Sequence, residues 1–290
     1  MFKGSIVAIV TPFKNGVVDE EKLRELVDFQ ISGGTDAIVP CGTTGESSTL
    51  DDEEHDRVIE IVIQQVNKRV PVIAGTGSNS TAEAIEMSLR AEMMGADGVL
   101  LVTPFYNKPT QEGLYRHYMA IADAVAIPQI LYNVPGRTAV NLLPETVARL
   151  AGHTNIVAIK EATGSLQQAS EILAQAGDKI DVLSGDDFIT FPMMACGAKG
   201  VISVTANILP SEISAMVNAF RSGNLEKARR LHLQTLKINT AMFMESNPVP
   251  VKTALGLMGK CSDEVRLPLC PLSDINRAKL AGIMKEYNLT

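Results

Sequence analysis

The feature that most constrains the fold of this chain is a repeated alternation of short apolar segments with longer segments of helical periodicity. Strict alternation of strand and helix favours parallel strands joined by right-handed crossovers. Eight such units, each of roughly 30 residues, close a barrel. We therefore predict an α/β fold, a (β/α)8 TIM barrel, with an open doubly wound sheet as the weaker alternative. The predicted strands are residues 5–10, 37–40, 71–75, 98–104, 128–134, 156–162, 181–185 and 200–204.

The segments between the strands predict the barrel helices, and residues 224–290 contain no further convincing strand. Prolines divide this last segment into helices. We therefore predict a barrel in residues 1–223 that carries the site, and a three-helix extension in residues 224–290. The predicted helices are at about 20–33, 51–68, 81–94, 111–125, 144–151, 165–176, 188–196, 210–221, 225–243, 249–258 and 273–287.

Charge and composition argue against several classes of partner. The chain of 290 residues has a net charge of −7, a pI near 5.2 and no run of Lys or Arg, so we expect neither nucleic acid nor a membrane surface as a partner. No apolar segment is long enough to span a bilayer, and residues 1–12 lack the pattern of a signal peptide.

Four cysteines without framework spacing fit reduced thiols. Four scattered histidines predict no zinc site. We expect a cytoplasmic protein that handles small molecules.

A single lysine stands at the end of the sixth predicted strand. Lys160 follows Ile-Val-Ala-Ile at residues 156–159. Burial disfavours the charged ammonium, and a neutral lysine attacks carbonyls to form a Schiff base. The alternative is a lysine that extends into water where the strand ends, and this strand by itself favours that alternative, because most lysines are solvated.

In a TIM barrel the functional residues lie at the C-terminal ends of the strands, and several polar residues fall there. Gly42-Thr43-Thr44-Gly45 offers hydroxyls and backbone N–H groups that can hold a carboxylate, or it is an ordinary turn. Tyr132 can transfer a proton, or it fills the barrel mouth. Arg137 suits bidentate carboxylate binding, or it pairs with a surface acid. Asp186 and Asp187 could bind a cation, but a helix N-cap is the favoured interpretation.

These positions also resemble the dihydrodipicolinate synthase family, within the pyruvate-dependent class I aldolases that include N-acetylneuraminate lyase. The resemblance extends over nearly the whole chain. The widely shared motifs are Gly-Thr-Thr-Gly-Glu and the strand lysine, whereas the arginine after Tyr-Asn-Val-Pro-Gly is typical of the synthases. The matching segments are residues 4–12, 42–47, 74–77, 132–138, 159–164, 183–187 and 247–252.

The resemblance implies roles for individual residues. Lys160 is expected to form the Schiff base with pyruvate. Tyr132, Thr43 and Tyr106 match a proton-relay triad in which the Tyr106 position reaches into the site of a neighbouring subunit. The remaining matches are to substrate-binding positions: Thr44 for the pyruvate carboxylate, Arg137 for the carboxylate of aspartate semialdehyde, and Gly185 and Ile202 for the walls of the pyruvate pocket.

The resemblance further implies a homotetramer made of two tight dimers, with no metal or organic cofactor. Some relatives are inhibited by lysine, and that allosteric site matches Ser48, His55, Asn79 and Glu83. Phe105 stands where lysine-sensitive relatives commonly have tyrosine, and Asp52 where some have histidine.

The implied activity is a lyase that condenses pyruvate with aspartate semialdehyde to give 4-hydroxy-tetrahydrodipicolinate, in the diaminopimelate and lysine pathway. One alternative is another pyruvate aldolase, acting on sialic acid or a keto-sugar acid. Another is a non-catalytic barrel that binds a keto acid.

Overall fold

The computed structural model describes residues 2–290, so residue 1 of the predicted barrel lies outside it. Eight parallel strands form its sheet, and every predicted strand is present. Their bounds are Gly4–Ala8 (β1), Ala37–Val39 (β2), Ile73–Gly75 (β3), Gly98–Val102 (β4), Gln129–Asn133 (β5), Ile156–Glu161 (β6), Asp181–Ser184 (β7) and Gly200–Ser203 (β8).

The sheet closes into a barrel between β2 and β3. A parallel bridge joins Ile38 to Val72, and Gly75 N donates a hydrogen bond of 3.0 Å to Pro40 O. The other neighbours pair in the order β2-β1-β8-β7-β6-β5-β4-β3. The prediction of a (β/α)8 TIM barrel is therefore confirmed.

The period of two along each strand explains why Lys160 points into the barrel. Successive side chains alternate between the two faces of a strand, and Ala158 belongs to the apolar cluster inside the barrel, together with Ile130 and Ile202. Lys160 is two residues beyond Ala158 and shares its face. Val157 and Ile159 alternate with these residues, and Ile159 packs in the layer between the sheet and the helices.

Helices follow the strands close to the predicted positions. An antiparallel hairpin of residues 13–14 and 17–18 was not predicted, and neither was the single helical turn Pro135–Thr138. The longer helices are Glu20–Ser32 (α1), Asp52–Val66 (α2), Thr81–Met94 (α3), Gln111–Ala124 (α4), Pro144–Leu150 (α5), Leu166–Ala176 (α6), Thr190–Cys196 (α7), Pro210–Arg221 (α8), Leu225–Ala241 (α9), Val249–Leu257 (α10) and Asp274–Glu286 (α11).

The three last helices pack against the barrel. Buried residues of α9, α10 and α11, such as Ile238, Leu255 and Leu280, belong to the same apolar cluster as the barrel helices. The division between residues 223 and 224 remains a prediction. Within residues 2–290, no helix is both long enough and apolar enough to cross a membrane.

Candidate active site

A cavity of about 390 Å³ lies at the C-terminal ends of β5, β6 and β7. It brings together residues from distant parts of the sequence, including several predicted site residues. Its lining is Thr44, Tyr132, Val134, Gly136, Arg137, Lys160, Ala162, Gly185, Asp186, Val204, Phe243, Ser246 and Asn247.

Lys160 and Tyr132 are direct neighbours in this cavity. Their Cα atoms are partners in the β5–β6 register, and the Lys160 Nζ atom lies 4.2 Å from the centroid of the Tyr132 ring. Lys160 is only 4% exposed, so it does not extend into water, and that alternative is wrong. A cation over an aromatic face is attracted by the ring quadrupole. The ring therefore holds the amine near the cavity.

Thr44 is held by a residue of the C-terminal extension. Thr44 is 2% exposed, and its hydroxyl accepts a hydrogen bond of 3.0 Å from Asn247 Nδ2. Thr43 lies in the same 3-10 turn, Thr43–Gly45, but it lines a second, larger cavity. Asn247 Oδ1 is buried and has no hydrogen-bond partner among residues 2–290. It is an acceptor available to a ligand.

Arg137 stands at the junction of the two cavities and lines both of them. Its side chain donates a hydrogen bond of 3.1 Å to the backbone oxygen of Asn247. Among the described residues the Arg137 guanidinium makes no ion pair, so the alternative of a surface pairing with an acid does not occur. A guanidinium without an anionic partner is available for a substrate carboxylate.

The two aspartates after β7 have different roles, and neither caps a helix through its side chain. Asp186 does occupy the N-cap position of the 3-10 turn Asp187–Ile189, so the N-cap prediction is confirmed for its position and wrong for a capping side chain. Asp187 accepts hydrogen bonds from the Ser203 hydroxyl at 2.5 Å and from the backbone N–H groups of Val204 and Thr205 at 2.9 and 3.0 Å. These N–H groups stand beyond the end of β8 and need an acceptor, which Asp187 supplies.

Asp186 instead lines the cavity with Lys160. Burial raises the pKa of the Asp186 carboxyl to about 6, and the nearby Lys160 ammonium opposes this shift. Within residues 2–290 its carboxylate makes no hydrogen bond and no ion pair. Asp187 and Glu161 add repulsion that also raises the pKa of Asp186.

Gly185 and Ile202 are the two other predicted pocket residues, and of these only Gly185 lines the cavity. A side chain at Gly185 would place its Cβ 2.5 Å from the Ala162 Cβ, so glycine permits the close approach of β6 and β7 there. Ile202 is fully buried inside the barrel, in the same cluster as Tyr132. The residue of this segment that reaches the cavity is Val204.

Tyr106 is separate from these residues. It is 91% exposed and has a left-handed backbone with φ of 70°. Positive φ is uncommon for a non-glycine residue. Within this chain Tyr106 lines neither cavity.

The second cavity has a volume of about 520 Å³ and contains all four residues of the predicted allosteric site: Ser48, His55, Asn79 and Glu83. His55 Nε2 lies 2.9 Å from Gly75 O, and Asn79 Nδ2 donates to Phe105 O at 3.2 Å. Glu83 is hydrogen-bonded to Ser78.

Sequence reasoning missed Asn247 and a buried ion pair behind Thr44. The Lys252 Nζ atom lies 2.6 Å from Glu46 Oε1, and both side chains are almost fully buried. Glu46 Oε2 accepts from Arg266 N at 3.1 Å. The sequence signal for Asn247 and Lys252 was the Asn-Pro-Val-Pro-Val-Lys segment at 247–252, but nothing in its pattern indicates which loop this segment contacts.

A barrel with a buried lysine lining a cavity at its C-terminal mouth is the arrangement that enzymes working through a lysine Schiff base require. The model of the dihydrodipicolinate synthetase family matches residues 1–287. The chain belongs to this family.

Individual relatives agree with the family match. The chain is 81% identical to 4-hydroxy-tetrahydrodipicolinate synthase of Geotalea daltonii, with 100% of both chains covered. A crystal structure of chloride-inhibited dihydrodipicolinate synthase from Acinetobacter baumannii, complexed with pyruvate, is 49% identical and superposes with a TM-score of 0.98 over 100% of both chains. A monomeric dihydrodipicolinate synthase variant is 43% identical, also with a TM-score of 0.98, over 100% of this chain and 98% of that one.

Proposed function

We propose that this protein condenses pyruvate with L-aspartate-4-semialdehyde to give 4-hydroxy-tetrahydrodipicolinate, the first committed step of diaminopimelate and lysine biosynthesis. The observation that carries the proposal is the burial of Lys160 against Tyr132 in a cavity that Thr44 and Arg137 also line. The names of the close relatives support the same reaction. Two carboxylate-binding groups on one cavity suit two carboxylate substrates.

The chemistry begins at Lys160. Its neutral amine attacks the pyruvate ketone, water leaves, and the resulting iminium withdraws electrons so that a methyl proton can be removed to give an enamine. Thr44, oriented by Asn247, holds the pyruvate carboxylate. The enamine attacks the aldehyde of the second substrate, whose carboxylate Arg137 binds, and the substrate amine then displaces Lys160 as the ring closes.

Tyr132 is the proposed proton-transfer group closest to the reacting carbon, because it contacts Lys160. Thr43 and Tyr106 complete the proposed relay. Since Tyr106 is exposed and outside both cavities of its own chain, its participation requires a neighbouring subunit. We therefore include a homotetramer, built as a dimer of dimers, in the proposal. Sedimentation analysis of wild type and Tyr106→Ala tests the assembly, and activity measurements on the same two proteins test the participation of Tyr106.

The nucleophile is tested by borohydride reduction in the presence of pyruvate. We expect a reduced pyruvyl adduct on the peptide that contains Lys160, and no adduct in Lys160→Ala. Lys179→Ala, which changes an exposed lysine, is the matched control and should retain the adduct. An adduct on another lysine, or none in wild type, would overturn the assignment of Lys160.

Two other functions are distinguished by turnover. A sialic acid or keto-sugar lyase would act faster with sugar aldehydes than with aspartate semialdehyde. A keto-acid-binding barrel would bind pyruvate and turn over neither aldehyde. Arg137 in the short turn Pro135–Thr138 favours the smaller carboxylate substrate.

The cavity of Ser48, His55, Asn79 and Glu83 supports a second proposal, that lysine binds there and inhibits. Its mixed polar lining and its volume of about 520 Å³ suit a zwitterionic amino acid. A lysine titration of the activity, with Glu83→Gln for comparison, tests this site.

The cytoplasmic location is likewise proposed, supported by four free cysteines among the described residues.

A further inference from the structure

The cavity around Lys160 contains one anionic side chain that the reaction outlined above does not use. Asp186 lines this cavity and is close enough to the Lys160 ammonium for their charges to interact. Its carboxylate makes no hydrogen bond or ion pair within residues 2–290. A half-buried carboxylate without a partner is unfavourable, so its presence needs a reason other than stability.

The second substrate supplies a group that fits this carboxylate. Aspartate semialdehyde carries an ammonium as well as a carboxylate and an aldehyde. Arg137, on the same cavity, is a cation and suits the carboxylate. An ammonium placed in this cavity needs acceptors, and the lining offers one anionic acceptor, the Asp186 carboxylate, and one buried unpartnered amide oxygen, Asn247 Oδ1.

Release of Lys160 requires this ammonium to lose a proton, because only a neutral amine has a lone pair to attack the iminium carbon. We propose that Asp186 binds the ammonium of aspartate semialdehyde and acts as the general base that deprotonates it for ring closure. This inference rests on the proposed function and assigns a residue to its last step.

The step balances as follows. One proton passes from the substrate ammonium to Asp186, the nitrogen lone pair forms a C–N bond to the iminium carbon, and the π electrons move to the Lys160 nitrogen. A proton then passes from the newly bound nitrogen to the Lys160 nitrogen, the lone pair of the newly bound nitrogen forms a C=N bond to the same carbon, and the C–N bond to Lys160 breaks with its electrons going to Lys160. The ring iminium gives its proton to the released Lys160 amine, and Asp186 returns its own proton to water.

The electrostatic environment of Asp186 suits a base at neutral pH. Its pKa of about 6 leaves the carboxylate ionised at pH 7 but makes it a stronger base than an ordinary aspartate. The charged groups that act on it are Lys160, Asp187 and Glu161, and Arg137 lines the same cavity.

The test compares Asp186→Asn with wild type, and Asp178→Asn, an exposed aspartate, is the matched control. We expect kcat/KM for aspartate semialdehyde to fall about 100-fold or more in Asp186→Asn. The borohydride-trapped pyruvyl adduct should form as in wild type, because the first half of the reaction does not use Asp186. Asp178→Asn should behave as wild type.

An aldehyde that lacks the amine separates this role from a structural one. Succinic semialdehyde, in the presence of pyruvate, should inhibit wild type and Asp186→Asn with the same constant, within about twofold, because Asp186 acts on a group that it lacks. The inference would be overturned if Asp186→Asn weakened inhibition by succinic semialdehyde and lowered kcat/KM for aspartate semialdehyde by the same factor. Loss of the pyruvyl adduct in Asp186→Asn would also overturn it.

The outcome for wild type keeps the two proposals distinct. If wild type turns over aspartate semialdehyde and Asp186→Asn retains this turnover, the role of Asp186 is overturned and the proposed function is not. Absence of wild-type turnover, with the pyruvyl adduct present, would overturn the proposed function and this inference with it.

Discussion

Asn247 donates a hydrogen bond of 3.0 Å to the hydroxyl of Thr44, although 203 positions separate them in the sequence. The same residue accepts a hydrogen bond from Arg137 through its backbone oxygen. One residue of the C-terminal extension therefore positions both proposed carboxylate-binding groups. The extension is part of the site and does more than cover the barrel.

Asn247→Ala is expected to raise the KM for pyruvate about fivefold, because the hydroxyl of Thr44 loses the group that orients it. A hydrogen bond of this kind contributes about 1 kcal/mol. Steady-state kinetics of Asn247→Ala, Thr44→Val and the double variant form a cycle that measures the coupling. If the two single effects simply add, the hydrogen bond does not contribute to pyruvate binding.

Lys252→Met is expected to destabilise the fold by about 3 kcal/mol, because it leaves the Glu46 carboxylate buried without its cation. Burial lowers the pKa of Lys252, and Glu46 opposes that shift. Urea unfolding measures the loss, and the double variant Lys252→Met with Glu46→Gln should recover part of it. A loss below about 1 kcal/mol in the single variant would show that Glu46 finds another partner.

Tyr132→Phe is expected to lower kcat by about 100-fold through the loss of its proton-transfer group. The ring that packs over the Lys160 Nζ atom remains, so the pyruvyl adduct should still be trapped by borohydride. Steady-state and trapping assays on the same preparation separate the two effects. A variant with unchanged kcat would remove Tyr132 from the proton relay.

Asp186→Asn is expected to be more stable than wild type at pH 7.5 by roughly 1 to 2 kcal/mol. The folded pKa of Asp186, about 6, lies above its ordinary value of 3.8, so the folded state favours the protonated form. Wild type therefore loses stability as the pH rises from about 4 to above 6, and asparagine does not. Unfolding curves should show a higher free energy of unfolding for Asp186→Asn than for wild type at pH 7.5, and no such difference at pH 4. A variant that is less stable at pH 7.5 would indicate a structural role for the carboxylate.

Phe105→Tyr is expected to strengthen inhibition by lysine about five- to tenfold. Phe105 lines the cavity of the proposed lysine site, and a phenolic hydroxyl there adds one hydrogen-bonding group, worth about 1 kcal/mol. Lysine titrations of wild type, Phe105→Tyr and the control Phe105→Leu measure this. Equal half-inhibitory concentrations in all three would show that this position does not contact the effector.

The barrel could be predicted because its signals are local. Apolar runs of four or five residues, each followed by a helical segment, indicate buried parallel strands, and their number determines closure. The period of two then places Lys160 on the inner face with Ala158. The hairpin at residues 13–18 was missed because strands of two residues leave no periodicity to detect.

The sequence by itself predicted the eight strands and their closure into a barrel, and it placed a lysine and several polar residues at the C-terminal ends of those strands. Only the tertiary structure decided which residues meet there. The partners of Thr44 and Glu46 lie more than 200 positions away, and no pattern specifies such a contact. The different fates of Asp186 and Asp187 were decided in the same way, because a carboxylate becomes a structural acceptor or a free anion according to the N–H groups that the fold brings near it.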